Sequence, residues 1–392
     1  MHGVTGLPET AALLVFAAFV LVTICSRAGI PSIVGYILTG VLIGPAGSGL
    51  LAEGEALTTV GEIGVILLLF ALGLEFSFEK LVTLRRHVFG VGAAQVAVTA
   101  LLVAVPASFV FDLAAVPAVV LGGAVAMSST AMCLKVLSGV DALGSAAGRL
   151  AISVLLFQDL AAAGLLLLHD AATGAAEGYG VATVIGGAAA LVAALFFARG
   201  PLQALARWTA AHGDAELAQL LALAIALGSG IAAMSVGLSP ALAAFAAGMI
   251  IGEGDARHVV EREIRPFRDL FVGIFFISIG TKMPLGLIPE FWPIVLAWLV
   301  ILVPGKAVLV SILASWFGDP GPSASRAGII LAHGGEFSLM LISVSMSSGL
   351  IGEAIAGPLL LAIGISMLAG SILVRWAGET DRRSGHCLRS GG

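Results

Sequence analysis

Thirteen apolar stretches run through this chain, at roughly 9–26, 31–48, 57–76, 88–110, 116–137, 148–169, 180–198, 216–235, 238–252, 268–282, 291–317, 324–346 and 352–376. They limit its fold more than any other feature. A helix needs about 20 mostly apolar residues to cross the hydrocarbon core of a bilayer. A helix also satisfies its backbone hydrogen bonds within one segment, where no water is present to do so. Charged residues make up only 11% of the 392, against about 25% in soluble domains, and mean hydropathy is +1.09. The expected class is therefore an all-α integral membrane protein with about 13 transmembrane helices. The first run, AALLVFAAFVLVTIC, has no basic stretch before it and no small-residue cleavage site after it. It reads as a retained helix and not as a signal peptide. Cys25, Cys133 and Cys387 have neither metal-ligand nor disulfide spacing and read as packing residues.

Basic residues test the count. With thirteen spans, 17 of the 19 Lys and Arg fall on one side, Lys282 falls on the other, and Lys306 lies within a span. Basic residues collect on the cytoplasmic side, so the N-terminus is expected outside and the C-terminus in the cytoplasm. An even number of spans would scramble this asymmetry.

A repeat is also present. GVLIG at 40–44 recurs as GMIIG at 248–252, an offset of 208. The first and eighth spans are offset by 207, and FALGLEF from Phe70 maps onto FISIGTK from Phe276 at 206. AVAMSSTAM around Ser129 falls opposite LAHGGEFSL around Glu336 at 207. Two six-helix repeats, at about 9–170 and 216–376 and joined by a linking helix at about 180–198, must be inverted relative to one another. Inverted repeats with broken helices mark secondary transporters, with their sites near the midplane. The fifth and twelfth helices are the expected broken, crossing pair, at Ser128-Ser129-Thr130 and at Gly334-Gly335-Glu336. Freed carbonyls, hydroxyls and helix ends there suit a small cation. The competing reading makes both clusters simple close-packing residues.

Buried charge narrows the function further. Asp159, beside Gln158 in AISVLLFQDLAAAGLLLL, costs roughly 2.5–3.5 kcal/mol at the centre of an inserted helix. It is the twelfth residue of its predicted span, about 17 Å along at 1.5 Å per residue and so near the midplane. A carboxylate there can hold a proton or a metal cation, in competition. Lys306, in VPGKAVLV, reads as a partner for Asp159 that is released when the carboxylate takes its cation. The alternatives are a fixed structural pair or a snorkelling lysine. Glu336 either caps the broken helix or helps to coordinate the ion, and His333 reads as packed near the break. Glu75 and Glu62 read as interfacial. The charged stretch 252–269 reads as a cytoplasmic surface helix. No glycine-rich phosphate loop and no catalytic, haem or metal constellation is visible, so neither an enzyme nor a cofactor is expected.

Five motifs carry a resemblance: IPSIVGYILTGVLIGP, LLLFALGLEFS, SSTAMCLKVL, GRLAISVLLFQDLA and LAHGGEFSLML. In this order they resemble the membrane domain of Kef-type potassium/proton antiporters, in the monovalent cation:proton antiporter-2 family, over nearly all of 1–376. The resemblance implies thirteen helices, a dimerisation domain with a mobile core, elevator-like alternating access and a homodimer. It also implies that Asp159 binds the ion and the proton and that Ser128, Ser129 and Thr130 form the unwound helix. By the same resemblance Glu336 belongs to the GGEF motif and Lys306 is the membrane-embedded lysine. The tail at 377–392 is expected to be short and cytoplasmic, without the regulatory nucleotide-binding domain of the Kef pattern. Any such control falls to a separate cytosolic subunit.

The expected function is exchange of K⁺ or Na⁺ for protons in the plasma (inner) membrane of a prokaryote. Asp159 is the transient cation ligand, and Ser128, Ser129, Thr130 and Gln158 complete the shell. With Gln158 in place of a second acid, electroneutral 1:1 exchange is the simplest stoichiometry. The alternatives are a sodium-coupled organic-anion symporter, or a cation channel or sensor on the same scaffold. The partners are the transported ions and the lipid bilayer, with no nucleic acid.

Overall fold

The computed structural model describes residues 7–45, 47–50, 55–75, 83–173, 193, 197, 199–205, 207–209, 215–235, 240–254, 257–283, 288–319 and 321–390. Among these residues the fold is helical, with no strand. In chain order the helices begin with α1 (Leu7–Arg27), α2 (Ser32–Ile43) and α3 (Glu55–Glu75). A π-helical turn at His87–Gly92 leads into α4 (Ala93–Val110), followed by α5 (Ala115–Ala126), α6 (Thr130–Gly139) and α7 (Ala146–Ala172). Next come α8 (Ala215–Met234), α9 (Pro240–Gly252), α10 (Arg257–Thr281) and α11 (Ile288–Val300). A second π-helical turn at Ile301–Gly305 joins α11 to α12 (Lys306–Trp316), and α13 (Gly321–Ile330), α14 (Glu336–Ser347) and α15 (Glu353–Ser390) complete the chain. The linking helix expected at 180–198 lies, but for 193 and 197, outside the described residues.

Among the described residues, six segments are long and apolar enough to cross a membrane by length and composition: His87–Val110, Ala115–Gly139, Ala146–Ala172, Ala215–Met234, Phe291–Trp316 and Glu353–Asp381. Four shorter apolar helices accompany them. The second segment is interrupted at Met127–Ser129, and residues 331–335 likewise separate α13 from α14.

One expectation about boundaries needs correction. The surface helix at 252–269 and the span at 268–282 form one helix, α10, despite Pro266 inside it. Ion pairs from Glu261 to Arg257 (3.9 Å) and to Arg265 (3.6 Å), each four residues away, support its charged first half. The helix of the last span continues beyond residue 376, as α15 to Ser390.

The chain divides into two compact units. One comprises residues 53–80 and 166–278. Its core packs Leu67, Phe70 and Leu74 of α3 against Ala222 and Ile225 of α8, Ala247 and Ile251 of α9, and Val260 and Ile264 of α10. Gly248 is needed here. A Cβ at that position would run into the Phe70 carbonyl oxygen, with Gly73 Cα and Leu74 N each 3.1 Å away. Small residues that let helix backbones touch are the usual device of membrane packing.

The other unit comprises residues 1–52, 81–165 and 279–392 and contains every candidate site residue. Its core joins Met132, Cys133 and Leu137 of α6, Ala151 and Val154 of α7, Val310 of α12, Ala324 and Ile330 of α13, and Val374 of α15. At one end of this unit, Asp381 of α15 accepts from the Ala147 N–H in the first turn of α7 (3.1 Å) and pairs with Arg326 of α13 (2.7 Å). The helix that carries Asp159 is thus capped from the last helix of the chain.

Candidate functional site

The two breaks are packed against each other. Ser128 Oγ donates to the Leu331 carbonyl (2.9 Å), and Ser338 Oγ reaches the Met127 carbonyl (3.3 Å). Gly335 permits the contact, since a Cβ there would stand 2.5 Å from the Ser128 carbonyl carbon and 2.8 Å from the Ser129 nitrogen. Unwinding frees backbone groups that must find partners away from water, and the polar side chains of this unit supply them.

Ser129 is the N-cap of α6, and its Oγ accepts from the Met132 N–H at 3.2 Å. Thr130, the first residue of α6, donates its hydroxyl to Asp159 at 3.0 Å from one carboxylate oxygen and 3.2 Å from the other. Asp159 is 5% exposed. Its carboxylate lies at the amide end of a half-helix, where the helix dipole favours negative charge. Glu336, also buried, opens α14 and so occupies the equivalent end of the second broken helix.

Lys306 is 2% exposed and takes the opposite ends. Its ammonium donates to the carbonyls of Val125 (3.2 Å) and Met127 (2.7 Å), where α5 stops, and of His333 (2.8 Å), beyond the end of α13. An ammonium has three N–H donors, and all three go to main-chain carbonyls. The expected pairing with Asp159 is therefore replaced by a different arrangement. The cation neutralises two carbonyl ends while carboxylates stand at two amide ends, so each charge lies where its local helix dipole attracts it.

Gln158 also serves the break. Its Oε1 accepts from the Ser128 N–H (2.7 Å), and its Nε2 donates to Gln95 Oε1 (2.7 Å). Gln95, in turn, donates to the Ala126 carbonyl (3.1 Å) and to Thr99 (3.2 Å). The two glutamines fasten α4 and α7 to the break, and Thr130 reaches Asp159 from the start of α6. Sequence reading passed over Gln95. Its only signal was a polar pair with Thr99, four residues on, within an otherwise apolar run.

His333 is fully buried, with Nδ1 2.8 Å from the Gly334 carbonyl and Nε2 3.4 Å from Cys133 Sγ. Nδ1 also lies 3.4 Å from the Ser129 N–H, so the tautomer decides whether it donates to the Gly334 carbonyl or accepts from Ser129. Glu75, in the other unit, lies 3.6 Å from Arg268.

A run of apolar helices with two broken ones meeting over a buried carboxylate defines a multi-pass membrane transporter. The chain belongs to the sodium/hydrogen exchanger family, matching its transmembrane region over residues 14–378. This is a family of cation/proton antiporters, which are transporters and not enzymes. Chloroplastic K(+) efflux antiporter 1 of Arabidopsis thaliana is 36% identical over 346 residues, which is 86% of this chain. The chain spans only 29% of the length of that relative. The solved structure of the sodium proton antiporter MjNhaP1 from Methanocaldococcus jannaschii, at pH 8, matches with a TM-score of 0.64. The match covers 95% of this chain and 97% of that one at 15% identity, a likeness of fold.

Proposed function

We propose that the protein exchanges a monovalent cation, K⁺ or Na⁺, for protons by alternating access. Asp159 is the group that holds either one. The observation that carries this reading is the buried Asp159 carboxylate, hydrogen-bonded by Thr130 at the N-terminus of α6 and beside the packed breaks. A carboxylate at a half-helix end favours a bound cation through its own charge, and the Thr130 oxygen keeps lone pairs that can join the shell. Ser128, Ser129 and Gln158 hold that shell in place, and Lys306 and Glu336 balance the exposed helix ends.

One titrating acid per site gives electroneutral 1:1 exchange, so turnover avoids the ~2.3 kcal/mol per charge that a 100 mV potential would impose. Thirteen spans in two inverted repeats, an outside N-terminus, a homodimer in a prokaryotic plasma membrane and a possible separate regulatory subunit complete the reading.

Its test is proton flux in vesicles carrying the purified protein. Addition of K⁺ or Na⁺ should dissipate an imposed pH gradient, equally with and without a clamped membrane potential. Asp159→Asn should abolish that flux. Exchange by Asp159→Asn at the parent rate would remove the basis of the mechanism.

A further inference from the structure

A groove of about 780 Å³ runs between α4 and the consecutive helices α11 and α12, a volume within the range of small-ligand sites. Its α4 wall extends from Thr99 to Phe111, and its other wall extends from Pro293 to Leu309. Neither Asp159 nor Thr130 lines it. Thr99 and Lys306 stand at its inner end, beside the stop of α5. Thr99 accepts from Gln95, which donates to the Ala126 carbonyl, and Lys306 donates to the carbonyls of Val125 and Met127.

Both walls belong to segments long and apolar enough to span a bilayer, His87–Val110 and Phe291–Trp316. Leu102, Val110, Val300 and Ile301 line the groove and are exposed, so its mouth faces hydrocarbon and not water. Thr99 is the thirteenth of the 24 residues of the first segment, near mid-bilayer, and Val110 ends that segment at a membrane surface. From Thr99 to Val110 is about 17 Å at 1.5 Å per residue, close to the ~15 Å of a single leaflet. Apolar walls without neighbouring atoms lose dispersion contacts, and lipid is the medium at hand to supply them. One polar group in the wall is unsatisfied. Trp298 is 5% exposed, and its indole N–H has no hydrogen-bond partner among the described residues. An indole can only donate, so it calls for an acceptor. Cα–Cβ bonds on a helix lean toward its N-terminus, which in α11 is the surface end, where lipid esters lie.

We propose that this groove seats one acyl chain of a membrane phospholipid, from the leaflet at the Val110 end, with an ester carbonyl of that lipid accepting from Trp298. The end of the chain lies against Lys306 and keeps water from the carbonyl bonds that hold the two breaks. The lipid is then a structural ligand of this unit, whichever ions are exchanged.

The test strips the protein of lipid in detergent and titrates it with dioleoyl phosphatidylcholine. Native mass spectrometry counts bound lipid while thermal unfolding is followed in parallel. The parent should bind one lipid more tightly than all others and melt at a higher temperature as lipid is added, because a ligand of the native state stabilises by mass action. Ala297 is an exposed residue of the wall. Ala297→Phe should weaken that one site about 10-fold or more, the equivalent of displacing about two buried methylenes. Ala297→Leu gives the same reading with a smaller plug if Ala297→Phe does not fold. Leu296→Phe, exposed on the same helix but outside the groove, should behave as the parent. Trp298→Phe keeps a ring and loses the N–H, and should weaken the site about 2- to 12-fold, the range of one neutral hydrogen bond. Palmitate should not replace the phospholipid. Four results overturn the inference: a parent with no site tighter than the rest, plugged variants that bind and melt as the parent does, Trp298→Phe binding undiminished, or full replacement by palmitate.

Discussion

Lys306→Met separates two accounts of the buried lysine. The substitution keeps an unbranched side chain of similar length and removes the ammonium. The carbonyls of Val125, Met127 and His333 then lose a donor, inside a unit where Lys306 is 2% exposed. Leaving a buried acceptor unsatisfied costs about 1–3 kcal/mol, so three together cost roughly 3–9 kcal/mol. Against this, the variant no longer has to bury a charge, which recovers several kcal/mol. The net loss should be at most about 5 kcal/mol, against a typical folding free energy of about 5–15 kcal/mol. Unfolding in detergent, followed by tryptophan fluorescence against temperature and denaturant, measures it.

The decisive comparison is a double-mutant cycle with Asp159→Asn. If the lysine serves the carbonyls, the two losses add to within about 0.5 kcal/mol. A coupling above ~1 kcal/mol, or recovery of Lys306→Met stability by Asp159→Asn, would falsify the account and restore a direct pair between the two side chains.

Three further outcomes follow from the geometry. Gly335→Ala should force the two breaks apart, because its Cβ would stand 2.5 Å from Ser128 backbone. Loss of both exchange and thermal stability is expected, and a fully active, equally stable variant would show that the breaks are not tightly packed. Asp381→Ala removes the cap on α7 and one ion pair of Arg326. It should lower stability by about 1–3 kcal/mol in the same unfolding assay, and no change would make the cap redundant. Glu263, on the charged first half of α10, is held below its ordinary pKa by hydrogen bonds from Arg262 and then Gln219, which outweigh its desolvation. A depressed carboxylate contributes stability that is present above its unfolded pKa and lost as pH falls through the folded one. Glu263→Gln should therefore destabilise slightly at neutral pH and not at all in strong acid, and a difference that persists in acid would exclude this origin.

The apolar runs were legible because hydropathy is written locally, and the interruptions at Ser128–Thr130 and Gly334–Glu336 were legible because small polar clusters stand out in such runs. Asp159 was legible for the same reason, an acid where lipid-facing residues were due. The partners of Lys306 were not, because backbone carbonyls leave no mark in a sequence and only the folded breaks reveal them. Gln95 was hidden by the ordinariness of one amide in an apolar helix, whereas Gln158 drew notice only through its acidic neighbour. The unity of α10 was obscured by its change from charged to apolar composition near residue 269, and the length of α15 by the polar residues of its final turns.

The glutamine chain from Gln95 through Gln158 to Ser128 has a consequence for the proposed cycle. It ties α4 and α7 to the break by direct hydrogen bonds, so whatever motion turns Asp159 from one side of the membrane to the other carries its oxygen cage along intact. The ranking of ions is then decided once, when the chain folds, and is not rebuilt at each turnover. Such a carrier has a single intrinsic selectivity, the same whichever side the ion comes from. Any difference measured between the two faces belongs to the approaches and not to the cage.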